Sequence, residues 1–362
     1  MTHKLLSGIV LLVLLWGSVA CSGAQPTTPE STTLTATDAL GREVTLPAPP
    51  QRIAIGGRAN FMISDALYLF PDMPSRVSAL TKSTKQAAVA FAQMLDPDAQ
   101  TKSLFESDAP AEEIAATQPD LVLLKSYMRD SVGTTLEQLG IPVIYLDLET
   151  PEQYERDLKT MGQALGNTER ATELWEYYRD ILDRAAKGTE GLTDADKPRV
   201  LLLQYAATGE EIAFKVPPAS WIQTTLVTLA GGQPIWLEAA QGGGWAVVNL
   251  EQIAAWNPDQ IYIINYSGSS AEIVATLKAD PQWAQMPAVS SEQIYPFASD
   301  FYSWDQPDTR WGLGLLWLAK QIQPERFADI DMQAEFYRFY EDLYGLDRAA
   351  IDAEILPITR LD

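Results

Sequence analysis

Short apolar runs alternate along this chain with stretches in which apolar residues recur every three or four positions. The runs are Arg52–Ile55, Val77–Leu80, Leu121–Leu124, Val143–Leu146, Val200–Gln204, Ile261–Ile264 and Gln293–Pro296. Two further short strands are predicted from about Thr35, on either side of the turn Asp38-Ala39-Leu40-Gly41. Buried strands separated by amphipathic helices predict parallel βαβ units and an α/β fold.

The longest helical pattern lies mid-chain. Pro151 to Leu165 reads as one helix, and Asn167 is placed to cap a second running to about Ala186. In the second, Ala171, Leu174, Trp175, Tyr178, Ile181, Leu182 and Ala185 form one apolar stripe. A helix of about 20 residues spans ~30 Å, the width of a small domain. One such helix between two lobes predicts a stiff connection and little lobe movement.

A repeat supports two lobes. Residues 112–124 read EEIAATQPDLVLL and residues 251–264 read EQIAAWNPDQIYII. In both, Glu is followed at fixed offsets by Ile-Ala-Ala and Pro-Asp, and then by an apolar run. The copies begin at Glu112 and Glu251, 139 residues apart. Each reads as a short helix stopped before Pro and followed by a buried strand. The predicted organisation is an N-terminal lobe over 35–165, a linking helix over 166–190 and a C-terminal lobe over 191–362.

Residues 1–20 carry a targeting pattern. Lys4 precedes the apolar run Leu5 to Trp16, which is short for a membrane span. Small residues lead to Cys21, as in a bacterial lipobox, although Ser18 stands where Leu is usual. Cys21 is therefore the expected lipidation site. The Ser/Thr/Pro-rich stretch up to residue 34 reads as a tether holding an exported domain off a membrane.

Composition narrows the chemistry. The 362 residues carry 26 Lys and Arg against 48 Asp and Glu, a formal charge of −22, which opposes nucleic-acid binding. The single His is His3 and the single Cys is Cys21. Cleavage of the leader leaves a chain without His or free thiol, so Ser-His-Asp and Cys-His catalysis and His- or Cys-ligated metal sites are excluded. No cofactor and no protein-ligated metal is expected.

Taken in order, DALGREVTLPAPPQRIAI, EEIAATQPDLVLL, LGIPVIYLD, LGNTERATEL, LAGGQPIW, EQIAAWNPDQIYII and DPQWAQMPAVSSEQIYPF resemble the class III periplasmic substrate-binding proteins of ABC importers. The resemblance runs over about 35–350. It implies two Rossmann-like α/β lobes joined by a single long helix, with ligand in the cleft between them. The family serves importers of ferric siderophores, haem, cobalamin and some oxyanions. It also implies that one Glu at each lobe tip docks on the permease, and Glu112 and Glu251 match that pair. SWDQPDTRWGLGLLWLAKQIQPERFADID resembles a subset tied to iron complexes and molybdate-type oxyanions.

Ligands of open α/β lobes meet the loops at the carboxyl ends of strands. Here those loops supply Arg58, Lys82, Lys125 and Tyr127 from the first lobe, and Tyr205, Trp221, Trp245, Tyr266, Trp304 and Arg310 from the second. Positive charge concentrated in the cleft of an acidic chain predicts an anionic ligand, with Arg58, Lys125 and Arg310 converging on it. Eight of the ten Trp lie between 221 and 317. Trp221, Trp245 and Trp304 form the expected apolar wall for an organic chelate or macrocycle.

The expected protein is thus a monomeric, membrane-anchored binding lipoprotein. It delivers an iron chelate or related anionic metal compound to a permease and ATPase. Molybdate- or tungstate-type oxyanions, cobalamin and haem are alternatives on the same fold. A surface adhesin or signalling receptor on that fold is another. An exported carboxylate-dependent hydrolase is a reading of another class, with Asp300, Asp305 and Asp308 as the clustered acids near the cleft.

Overall fold

The computed structural model describes residues 33–208 and 211–361. The expected leader, the expected lipidation site Cys21 and the expected tether as far as residue 32 lie outside the described residues.

The chain folds as two α/β lobes. An antiparallel hairpin, β1 (Leu34–Thr37) and β2 (Glu43–Leu46), precedes the first. The sheet of that lobe contains β3 (Ile53–Ile55), β4 (Val77–Thr81), β5 (Ser103–Phe105), β6 (Leu121–Lys125) and β7 (Val143–Leu146). Its order is β5-β4-β3-β6-β7 with every pairing parallel. β6 and β7 are buried along their whole lengths, as strands covered by helices on both faces must be.

The second sheet departs from the all-parallel expectation. It contains β8 (Arg199–Thr208), β9 (Glu211–Val216), β10 (Gln233–Pro234), β11 (Ala246–Val248), β12 (Gln260–Ile264) and β13 (Ile294–Pro296). The order is β11-β9-β8-β12-β13, with β10 beside the start of β8. β8 and β12 pair in parallel, but β9 pairs antiparallel with both β8 and β11. The run from Arg199 continues four residues beyond Gln204 because β9 gives its backbone a hairpin partner; apolar content alone marked only the buried half.

The two repeat copies occupy matched positions, and the structure adds a third member to each. Asp120 accepts the backbone N–H groups of Gln51 and Arg52 at 2.7 and 2.9 Å, and Arg52 donates back to the carbonyls of Thr117 and Gln118. Asp259 accepts the N–H of Arg199 at 2.7 Å, and Arg199 donates back to the carbonyls of Trp256 and Asn257. In each lobe the Pro-Asp carboxylate thereby fixes the start of the central strand, β3 or β8. The Arg ties off the C-terminus of the repeat helix, whose last carbonyls lack intrahelical partners. The matched pairing continues as β3 with β6 and β8 with β12.

Between the sheets run the helices Pro151–Leu165 and Thr168–Thr189. Gly166, at φ 73°, ends the first in the left-handed conformation that Gly adopts without strain. The Asn167 side chain then caps the second through the Arg170 N–H. At 22 residues this linking helix spans about 33 Å. Its stripe residues Leu174, Tyr178, Ile181 and Ala185 belong to one apolar core that continues from the first lobe into the second. The C-terminal helices return to it, with Arg338 on Asp180 at 2.9 Å and Arg170 on the carbonyls of Asp342 and Leu343.

Candidate functional site

The cleft lies where the carboxyl ends of β3 and β4 face the segment 299–310 of the second lobe. β3 ends in Gly56-Gly57. Gly57 has φ +88°, and a Cβ there would lie 1.9 Å from the Met128 sulfur, so only Gly lets the chain turn out to Arg58. β4 runs into Lys82-Ser83-Thr84-Lys85 and then the helix Gln86–Leu95. Two adjoining hollows result, of about 320 and 620 Å3. Thr84, Lys85, Tyr302 and Gln306 line both.

First-lobe cations rim this space. Arg58, Lys82 and Lys85 line the smaller hollow and are exposed. Lys82 lies 3.6 Å from Glu106 across open solvent, a weak pair. Lys85 reaches farthest: its ammonium stands 5.7 Å from the centre of the Tyr266 ring of the other lobe. Partial burial lowers the Lys85 pKa, and the charge of Asp305 opposes that shift.

Three predicted second-lobe aromatics come together. Trp221 and Trp245 meet edge to face at 5.5 Å, and Trp245 meets Tyr266 at 6.1 Å. Tyr266 lines the larger hollow. Its hydroxyl donates to Asp305, which also accepts from Ser303 and lies 3.4 Å from the Gln223 amide. Burial raises the Asp305 carboxyl to about 6, although these donors favour its charged form.

Arg310 corrects the expected converging triad. Its side chain is fully buried, held by Asp300 at 2.7 Å, Asp65 at 3.2 Å and Asp308 at 3.7 Å. Phe91 and Tyr302 lie at 4.3 and 4.7 Å from the guanidinium carbon. Asp65 and Phe91 belong to the first lobe, so Arg310 joins the lobes rather than facing ligand. The acid cluster of the hydrolase reading is consumed here: Asp300 and Asp308 show no exposed side-chain surface. Burial raises Asp65 to about 7 and Asp308 to about 8, with the Arg310 charge opposing both shifts.

Three other expectations are corrected. Lys125 is 1% exposed, and its ammonium sits on the Asp147 carbonyl and 2.6 Å from Glu149. A Lys in the low-dielectric interior takes the nearest acid, and Glu149 already neutralises it. Trp304 is fully buried, with its indole N–H on Asp300 at 2.9 Å, so it is core and not cleft wall. Tyr205 lies within β8 and packs on Phe214, itself against Trp283, away from the Trp221–Trp245–Tyr266 cluster. Tyr127 is 60% exposed and donates to the Arg58 carbonyl at 3.0 Å, which places it beside the cleft mouth.

Glu112 and Glu251 are both exposed, each in the first turn of its repeat helix, Ala111–Ala116 and Leu250–Trp256. Sequence reasoning missed Asp65, Phe61 and Tyr302. Phe61 and Tyr302 stack across the lobe boundary at 5.4 Å and 15°. Asp65 did carry a signal: it is the one acid in the otherwise uncharged helix Asn60–Leu67, where a buried carboxylate needs a cation from elsewhere.

Comparison with known proteins agrees with this architecture. A sequence model described as periplasmic binding protein matches residues 69–300. A molybdate-binding protein, MolA, of Haemophilus influenzae is 24% identical over 334 residues, covering 87% of this chain and 93% of that protein. A vitamin B12-binding protein of Yersinia pestis is 27% identical over 169 residues, 45% of this chain and 54% of the relative. Among solved structures, a periplasmic solute binding protein from Veillonella parvula superposes with a TM-score of 0.72 at 24% identity. That match covers 90% of this chain and 98% of the other. Molybdate-bound MolA superposes with a TM-score of 0.70 at 18% identity, over 86% and 98% of the two chains.

Proposed function

The chain belongs to the periplasmic binding protein family, and from that membership we propose that it captures a small anionic metal compound, an iron chelate of siderophore type, in the interlobe cleft and delivers it to an ABC importer. Within this reading the lobes are 35–165 and 191–362. The protein is exported, anchored through lipidated Cys21, monomeric, and meets its permease and ATPase through Glu112 and Glu251.

The observation that carries this reading is the asymmetry of the cleft. A chain of net charge −22 places Arg58, Lys82 and Lys85 on one wall and Tyr266 on the other, with Trp245 packed against Tyr266 and Trp221 against Trp245. Cations supply charge-assisted hydrogen bonds to an anion, and aromatic faces bury an organic body. The hollows, about 320 and 620 Å3, fall in the ~300–1,000 Å3 range of small-molecule sites. Native mass spectrometry of protein purified from its own host tests the proposal. A co-purifying ferric chelate supports it, and a neutral organic solute overturns it.

The relation to the Haemophilus molybdate-binding protein over 87% of the chain favours one second reading, a tetrahedral oxyanion on the same cations. Calorimetric titration with molybdate and with a ferric chelate separates the two.

A further inference from the structure

The lobes of this protein are fastened together without ligand. Arg310 is buried between carboxylates of both lobes, Phe61 stacks on Tyr302, and the Tyr344 hydroxyl donates to the Asp65 carbonyl at 3.3 Å. Opening the cleft by lobe rotation would break the Arg310–Asp65 ion pair and the Phe61–Tyr302 stack together. Ligand entry therefore needs a smaller moving part.

The segment 235–245, between β10 and β11, contains such a part. Its start is anchored: Trp236 is fully buried and donates to the Pro217 carbonyl at 2.7 Å, and Ala240 is buried. Its end runs into β11, whose residues pair with β9. Between these anchors Gly242, Gly243 and Gly244 are exposed. A Cβ on any of them would meet nothing within 4 Å, and none of the three has positive φ. Neither a turn nor a close approach requires Gly at these positions. Three consecutive glycines supply backbone freedom instead. None of the three makes a backbone hydrogen bond to the described residues outside the strands.

Trp245 follows directly. Of the three clustered aromatics, Tyr266 is held through its hydroxyl by Asp305, and Trp221 leads into the helix Ile222–Leu229, its carbonyl accepting from Thr224 and Thr225. Trp245 is half-buried and makes no side-chain hydrogen bond among the described residues; edge contacts with Trp221 and Tyr266 hold it. The Trp221 indole likewise makes no side-chain hydrogen bond among the described residues, but its backbone is fixed by a helix start whereas that of Trp245 follows three glycines; Tyr266, the neighbour of Trp245, lines the larger hollow.

We propose that Trp245 is a gate at the cleft, swung on the Gly242–Gly244 swivel, which opens to admit ligand and closes to cover it while the two lobes stay fixed. The admission role rests on the cleft reading above; the swivel motion does not.

The test uses ligand-free protein labelled with fluorotryptophan, with the Trp245 fluorine resonance assigned from Trp245→Phe. In the unsubstituted chain the Trp245 resonance is expected to show microsecond-to-millisecond exchange, while buried Trp236 and Trp304 give sharp lines. The triple variant Gly242→Ala, Gly243→Ala, Gly244→Ala is expected to reduce that exchange several-fold and to lower acrylamide quenching, with the Trp236 line unmoved. If the triple variant disturbs Trp236, Gly243→Ala alone serves, with a smaller reduction expected. A Trp245 line as sharp as that of Trp304, or exchange unchanged by alanine, overturns the gate. Because no ligand is present, that result leaves the proposed function standing. Conversely, absence of any bound chelate sinks the function without touching the swivel.

Discussion

The guanidinium of Arg310 lies 3.2 Å from the carboxylate of Asp65, a residue 245 positions earlier in the chain and in the other lobe. Both side chains are buried, and Asp300 and Asp308 complete the surround. Four ionisable groups are thus removed from water at the lobe boundary. That position gives them a structural task, and several expectations depend on it.

Removing the cation leaves three buried acids facing one another. Arg310→Ala is expected to destabilise the protein by about 3–5 kcal/mol, the usual cost of breaking a buried pair from one side. Urea unfolding followed by Trp fluorescence measures it. A loss below about 1 kcal/mol would mean the site is open to solvent and the fastening is not real.

The acids also set a pH dependence. Burial raises Asp65 to about 7 and Asp308 to about 8, from ordinary values of 3.8. A raised carboxyl pKa means the folded state binds more protons than the unfolded chain between pH 4 and 8. The resulting stability is complete below pH 4 and is lost as pH rises through 7 and 8. Each such group contributes a slope of at most about 1.4 kcal/mol per pH unit. Asp308→Asn is expected to flatten the decline between pH 4 and 8, and an unchanged slope would remove Asp308 from this account.

Cleft cations should govern affinity. Lys85→Ala is expected to weaken binding of the co-purifying ligand about 10- to 150-fold, the equivalent of one charge-assisted hydrogen bond at roughly 1.5–3 kcal/mol. Arg58→Ala and Lys82→Ala should each have a comparable or smaller effect. Calorimetry with circular dichroism as a folding control decides it. If all three variants bind within about threefold of the parent, ~0.65 kcal/mol, the aromatic wall and not charge holds the ligand.

Docking is tested by charge reversal. Glu112→Lys with Glu251→Lys should abolish stimulation of the importer's ATPase while ligand affinity and thermal midpoint stay unchanged. Loss of ligand binding in the same variant would show that these first-turn carboxylates serve their helices instead.

Anchoring has a direct readout. Cys21→Ala is expected to move the protein from the membrane fraction to the soluble fraction. An unaltered membrane fraction would refute lipidation at that residue.

Local chemistry made much of the fold legible. The stripe from Ala171 to Ala185 required a helix, Asn167 marked its start, and the Pro-Asp of each repeat copy marked where a helix gives way to a buried strand, β6 or β12. The hairpin of β8 and β9 was less legible, because the outer half of β8 is held by backbone pairing and not by burial of its own side chains.

The candidate site divided along a different line. Trp221, Trp245 and Tyr266, read from loops after strands, do meet in space. Lys125, Trp304 and Arg310, read from the same kind of loop, turn inward. Nothing adjacent in sequence distinguishes the two groups. A cation at a strand end faces water unless folding brings it an acid: Glu149 from beyond β7 takes Lys125, and Asp65 from the opposite lobe joins the nearby Asp300 and Asp308 on Arg310.

By itself, then, the sequence determined the main buried strands and the mid-chain helices, since apolar period, caps and helix stops act over a few residues and need no distant partner. Only the tertiary structure decided which charges remain free for a ligand. Desolvation and neutralisation depend on groups separated in sequence becoming neighbours, Lys125 and Glu149 by packing within the first lobe and Arg310 and Asp65 by packing of one lobe against the other.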